Sequence, residues 1–178
     1  MLRWSMSNNP RLIRHGVLED DIWRLHDTTL TTLPPDEAYW MVTLDCWKVN
    51  QDSISQRKYP IAILVPANAD AKDFLPVRVS NINSHSIALI AIDFPTYTDG
   101  RGFSLAQIIR TQFGWLGELR AVGDVLIDTI HYLARCGFDS FLVKEGHDPA
   151  LALKSFETFT VHYQKSYPKP ININSEKT

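Results

Sequence analysis

The chain has 178 residues, a formal net charge of −2, 44% apolar residues and 21% charged residues. That length holds one domain, or one domain with a small appendage, and folding it buries about 70% of the surface of the unfolded chain, so no disulfide or metal staple is required. The balance excludes a disordered or fibrous chain, and without a basic excess nucleic acid is not an expected partner.

In chain order, residues 11–14, the turn His15-Gly16 and a second stretch through Trp23 to Leu25 read as a hairpin. Residues 31–36 carry Pro34-Pro35 and read as loop. Residues 39–43 are rich in strand formers, and Thr43 can cap a short helix through Trp47 and Val49. These elements make residues 1–59 a β-rich appendage of hairpin and helix. Residues 61–65 and 87–92 are apolar runs without polar alternation, which suits strands covered on both faces. Helix is expected over 104–113, strand over 119–122, helix over 125–136, strand over 138–143, helix over 149–156 and a last strand over 159–163.

The repeated β-α order makes residues 60–166 an α/β core with a mainly parallel open sheet and right-handed crossovers. A partial β/α barrel is the alternative, since a full barrel takes about 250 residues. Residues 167–178, polar and proline-bearing, read as a disordered tail. Local signals mark the helix ends. Ser104 with Gln107 matches a capping box, Asp124 precedes Val125 as a cap, and Gly137 follows Cys136 where a helix end takes a left-handed residue.

Two cysteines, Cys46 and Cys136, cannot build a four-thiolate zinc site or an iron–sulfur cluster in one copy. Cys136 ends a helix, where the dipole raises a thiol pKa. The histidines His15, His26, His85, His131, His147 and His162 show no metal-ligand spacing, and His131 falls on the polar face of its helix. No metal and no cofactor is therefore expected. Residues 1–20 lack the apolar region of a signal peptide, and the longest aliphatic run, Ile87-Ala88-Leu89-Ile90-Ala91-Ile92, is far short of a bilayer span. A cytoplasmic protein without membrane contact is the expectation.

Chemistry concentrates in two strings. The first is Asp93-Phe94-Pro95-Thr96-Tyr97-Thr98-Asp99-Gly100-Arg101-Gly102-Phe103-Ser104, between a buried strand and a helix. Ligands of α/β sheets collect at the carboxyl edge of the strands. Two glycines, a helix N-terminus and a guanidinium fork make Asp99, Gly100, Arg101, Gly102 and Ser104, with Asp124 facing them, a candidate anion site. The alternative is a tight turn in which Asp99 accepts backbone amides and Arg101 faces solvent. Gly100-Arg101-Gly102-Phe103-Ser104-Leu105 holds only two glycines of the dinucleotide fingerprint, and its loop is too long for one. Ser104 also lacks the setting of a hydrolase nucleophile.

The second string is Glu118-Leu119-Arg120-Ala121-Val122-Gly123-Asp124. Alternation puts Glu118, Arg120 and Val122 on one face. An arginine inside a parallel strand is paired, or its strand lies at an edge or lines a cavity; Glu118, Asp93 and Asp139 are the candidate partners for a structural or supporting ion pair.

These segments resemble a bacterial family of unknown function whose members are described as oxidoreductases of sulfite reduction. The resemblance is carried by Ile90-Ala91-Ile92-Asp93-Phe94-Pro95, Thr98-Asp99-Gly100-Arg101-Gly102-Phe103-Ser104, Gly117-Glu118-Leu119-Arg120-Ala121-Val122-Gly123-Asp124-Val125, Arg135-Cys136-Gly137-Phe138-Asp139 and Phe159-Thr160-Val161-His162-Tyr163-Gln164. Phe103 stands where the family commonly has tyrosine. The resemblance implies a role in sulfate assimilation and cysteine biosynthesis, because such proteins are typically encoded beside sulfite reductase. It brings no catalytic residue with it. Three readings follow in order: an accessory protein with sulfite reductase or another sulfur-assimilation protein as partner, a binder of or enzyme on a small oxyanion using the 99–104 loop, and a nicotinamide- or flavin-dependent oxidoreductase.

Overall fold

The computed structural model describes residues 11–29, 31–74 and 86–158. The chain opens with β1 (Leu12–Arg14) and β2 (Val17–Glu19), an antiparallel pair in which Arg14 faces Val17. His15 and Gly16 between them both have positive φ, 52° and 74°, the backbone that a two-residue hairpin with the twist of its strands demands. The hairpin closes sooner than the sequence suggests. The carboxylate of Asp21 accepts the amide of Trp23 in a turn, and β3 (Arg24–Leu25) leaves for the opposite edge of the sheet.

There β3 pairs in parallel with β4 (Trp40–Thr43). Thr43 accepts the amide of Cys46 at 3.2 Å and caps α1 (Leu44–Val49), as its position before the helical run implies. Then come α2 (Gln51–Ser55), β5 (Ile61–Pro66), β6 (Ile87–Phe94), α3 (Arg101–Thr111), β7 (Glu118–Gly123), α4 (Ile130–Arg135), β8 (Ser140–Leu142) and α5 (Pro149–Thr158).

Two expected helix starts are displaced. Helix α3 begins three residues before Ser104, so Ser104 sits inside the first turn and caps nothing; Gln107 reaches Cys136 Sγ instead. Asp99 supplies the terminal contact by accepting the amide of Arg101. After β7, Val125 and Leu126 are not helical and a 3-10 turn over Ile127–Thr129 leads into α4, so Asp124 is too far ahead to cap it. The end of α4 is as expected. Gly137 has φ 107°, its amide bonds the carbonyl of Ala134, and that of Phe138 bonds Leu133. The expected strand over 159–163 and the tail over 167–178 lie outside the described residues, as do His85 and His162.

All eight strands form one sheet in the order β2-β1-β8-β7-β6-β5-β4-β3. Strands β3 to β8 are parallel neighbours in sequence order, while β1 runs antiparallel to β2 and β8. The sheet is thus open and mainly parallel, but not purely so, and it curls as half a barrel. Strands from both sides of residue 60 hydrogen-bond into it. Helices α1, α3 and α4 pack on one face of the sheet. That face holds Val42, Ile63, Val65, Ile90, Ile92 and Ala121, packed with Leu105, Ile109, Ile130 and Leu133 of the helices. Each fully buried isoleucine contributes about 1.5–3 kcal/mol.

The inner face carries Met41, Ala62, Leu64, Leu89, Ala91 and Val122, with no helical residue among them. Sequential strand order contains no reversal, so the crevice of a doubly wound sheet does not arise. The edge where a ligand is expected is the same one for a different reason: β/α barrels also place their sites at the carboxyl ends of the strands. Among the described residues, no helix is long and apolar enough to cross a membrane.

Candidate functional site

Register puts Ala91 beside Arg120, and Arg120 beside Ser140, on the inner face. Arg120 is 1% exposed and its donors are engaged. Its Nε meets Glu118 Oε1 and Ser140 Oγ, both at 3.1 Å; Nη2 donates to Glu118 Oε1 at 2.8 Å and Nη1 to Asp21 Oδ1 at 2.7 Å. Ser140 also donates to Glu118 at 2.6 Å, and Arg14 adds a second cation 3.6 Å from Glu118. Burial opposes the charge on Glu118, but Arg120 and the Ser140 hydroxyl outweigh it and hold the carboxyl below its ordinary range.

Of the expected partners, only Glu118 is one. Asp139 pairs with Arg110, whose other donors take the carbonyls of Trp115, Gly117 and Gly137. Burial raises the Asp139 carboxyl even so. Asp93 does not reach Arg120's network. Asp21, 99 positions away in sequence, takes its place, and no local signal marks it.

The 95–100 loop lies at the carboxyl edge of β6, next to Asp124 at the end of β7. The amide of Tyr97 donates to Asp124 Oδ2 at 2.9 Å, so the two strings meet there. Asp124 and Arg101 do not face each other. Asp124 pairs with Lys144 at 2.6 Å, and this bond, ahead of the opposing effect of burial and with help from the Tyr97 amide, lowers its pKa. Arg101, 63% exposed, forms a two-pronged pair with Asp99, Nε to Oδ1 at 2.9 Å and Nη2 to Oδ2 at 2.7 Å. Asp99 thus holds both the first helical amide and the guanidinium. Gly102 has a packing reason of its own: a Cβ there would lie 2.5 Å from the ring of Phe94.

A cleft of about 490 Å³ opens at the same edge, between the ends of β6, β7 and β8. Asp93, Pro95, Gly123, Asp124, Lys144 and Glu145 line it, with Arg11 at the start of β1. Arg11 arrives because β1 runs antiparallel to β8, which brings its first residues to the carboxyl edge. Asp93 is half-buried, and among the described residues no hydrogen bond or ion pair reaches its carboxylate. Burial alone pushes that carboxyl up from 3.8. Gly123, at φ 88°, allows the close packing behind it, since a Cβ at this position would lie 2.5 Å from Asp93 Oδ1.

The sequence singled out Asp93 and Asp124, but the ion pair it offered Asp93 with Arg120 does not form. It missed Arg11, Lys144 and Glu145. A basic-acidic pair directly after the β8 run was the one available signal. Among the described residues no three His, Cys, Asp or Glu side chains cluster as metal ligands would.

The sequence model of a bacterial protein family of unknown function, DUF934, matches residues 63–173. That is well over half of the chain. The chain belongs to the DUF934 family. The matched span contains Asp93, Asp124 and Lys144, whereas Arg11 comes from outside it. Searches of curated proteins and of solved structures give no match. The DUF934 segment therefore supplies three strand ends of the cleft, and the antiparallel β1 supplies the fourth wall.

Proposed function

We propose that this DUF934 protein is a small-ligand-binding accessory protein of assimilatory sulfur metabolism, acting beside sulfite reduction in the cytoplasm. The sulfur role is supported by the resemblance of the 90–95, 98–104 and 117–125 segments to proteins of that pathway. The binding role is carried by one observation: a half-buried carboxylate without a partner, Asp93, in a cleft at the carboxyl edge of parallel strands. An unpaired desolvated charge destabilises the folded protein and is retained where a ligand uses it.

The 99–104 loop supports an oxyanion site less well, because Asp99 already neutralises Arg101. A dinucleotide-dependent oxidoreductase has least support, since Gly102 packs on Phe94. The test is growth of a deletion strain on single sulfur sources, with complementation by wild type and by Asp93→Asn. Growth on sulfide or cysteine but not on sulfate or sulfite is expected, with failure of Asp93→Asn to complement. Normal growth of the deletion strain on sulfite removes the sulfur role. Retention of sulfite reductase by the tagged chain during purification tests the partner.

A further inference from the structure

We infer that the cleft takes a small zwitterion, with its ammonium against Asp93 and its oxyanion against Arg11. The inference deepens the binding role proposed above and rests on it. Arg11, Asp93, Asp124, Lys144 and Glu145 are the charged groups of the cleft. Asp124 and Lys144 neutralise each other at 2.6 Å. Glu145 is exposed, where water screens it. Arg11 donates one long bond, 3.4 Å, to the carbonyl of Val143 and has no carboxylate partner among the described residues. Asp93 has no partner of either kind among them.

Two opposite charges therefore line one cleft without pairing with each other. A ligand of a single charge satisfies one and leaves the other bare. A free oxyanion, in particular, meets Arg11 but also meets the Asp93 carboxylate. A molecule with both charges matches both groups, and the volume is ample for one. Burial at Asp93 sharpens this preference: a desolvated carboxylate gains more from an ammonium than an exposed one does.

The experiment is calorimetric titration of the full-length protein with glycine, β-alanine, 4-aminobutyrate, L-serine, L-cysteine and taurine. The amino acids separate a carboxylate ligand from a sulfonate one, represented by taurine. Propionate, ethylamine and sulfite serve as single-charge probes. At least one zwitterion is expected to bind about tenfold or more tightly than every single-charge probe. Asp93→Asn and Arg11→Gln are each expected to weaken it about tenfold or more. Asp93→Asn should also melt above wild type at pH 7, which separates lost binding from lost folding.

Equal binding of a zwitterion and a single-charge probe overturns the inference. So does binding of sulfite alone, or silence of all six zwitterions. In each of these cases, a failure of Asp93→Asn to complement the deletion strain on sulfite leaves the broader functional role standing. Normal growth of the deletion strain removes that role instead.

Discussion

Arg120 and Asp93 occupy adjacent strands and the same face of the sheet, two residues apart in register, yet their surroundings are opposite. Arg120 stands beside Ala91 and is surrounded by acceptors from β7, β8 and the segment after β2. Asp93 stands at the strand end between Val122 and Pro66, with Gly123 packed against its carboxylate. A buried charge with every guanidinium nitrogen engaged fixes strands to one another. A half-buried charge left bare in a cleft costs stability and keeps its hydrogen-bonding capacity for something else. The contrast separates a group that serves the fold from one left open at a cleft, although both are charged side chains on the inner face of the sheet.

The largest effect that tests this contrast is loss of Arg120. Arg120→Ala strands the carboxylates of Glu118 and Asp21, so stability should fall by about 3–5 kcal/mol in urea denaturation. Adding Glu118→Gln should recover part of that loss. A loss under about 1 kcal/mol would mean that the network does not hold the sheet. Next comes Gly123→Ala, which forces a side chain into positive φ and against Asp93. A cost of about 1–3 kcal/mol is expected by thermal melt, with ligand binding reduced as well.

The two carboxyls should also respond to pH with opposite sign. Glu118 has a lowered folded pKa, so its contribution is full above its unfolded value near 4.5 and disappears as pH falls through the folded value. Asp93 has a raised folded pKa, so it favours folding below about 3.8 and becomes a penalty as pH rises through the folded value. Asp93→Asn should therefore stabilise the protein at pH 7 and much less at pH 4. A variant that melts below wild type at pH 7 would show that Asp93 is a structural group after all. The smallest effect is Arg101→Ala. The residue is exposed and bonded to its own turn, so the melting point should not move. If sulfite affinity falls about tenfold in this variant, the anion site belongs to the 99–104 loop and not to the cleft.

Much of the fold is legible in short segments. His15-Gly16 specifies a hairpin turn because both residues accept positive φ there, and Thr43 and Gly137 mark helix ends through contacts spanning only a few residues. The apolar runs over 61–65 and 87–92 mark buried strands for the same local reason. The start of α3 is misplaced because Asp99, a short-range competitor, supplies the terminal contact before Ser104 can. Likewise, the non-helical backbone at Val125 and Leu126 separates Asp124 from α4, which a helical stripe beginning at Val125 does not reveal.

The sequence by itself determined the alternation of strands and helices, the family, and the two polar strings at the strand ends, because periodicity, turn chemistry and motif spacing are properties of neighbouring residues. Only the tertiary structure decided which charges meet. Asp21 comes to Arg120 across 99 positions, Arg110 takes Asp139, and Arg11 comes to the cleft of Asp93 because β1 inserts antiparallel beside β8. Electrostatic partners are chosen by distance and burial after the sheet has closed up, and neither quantity is written in the spacing of residues along the chain.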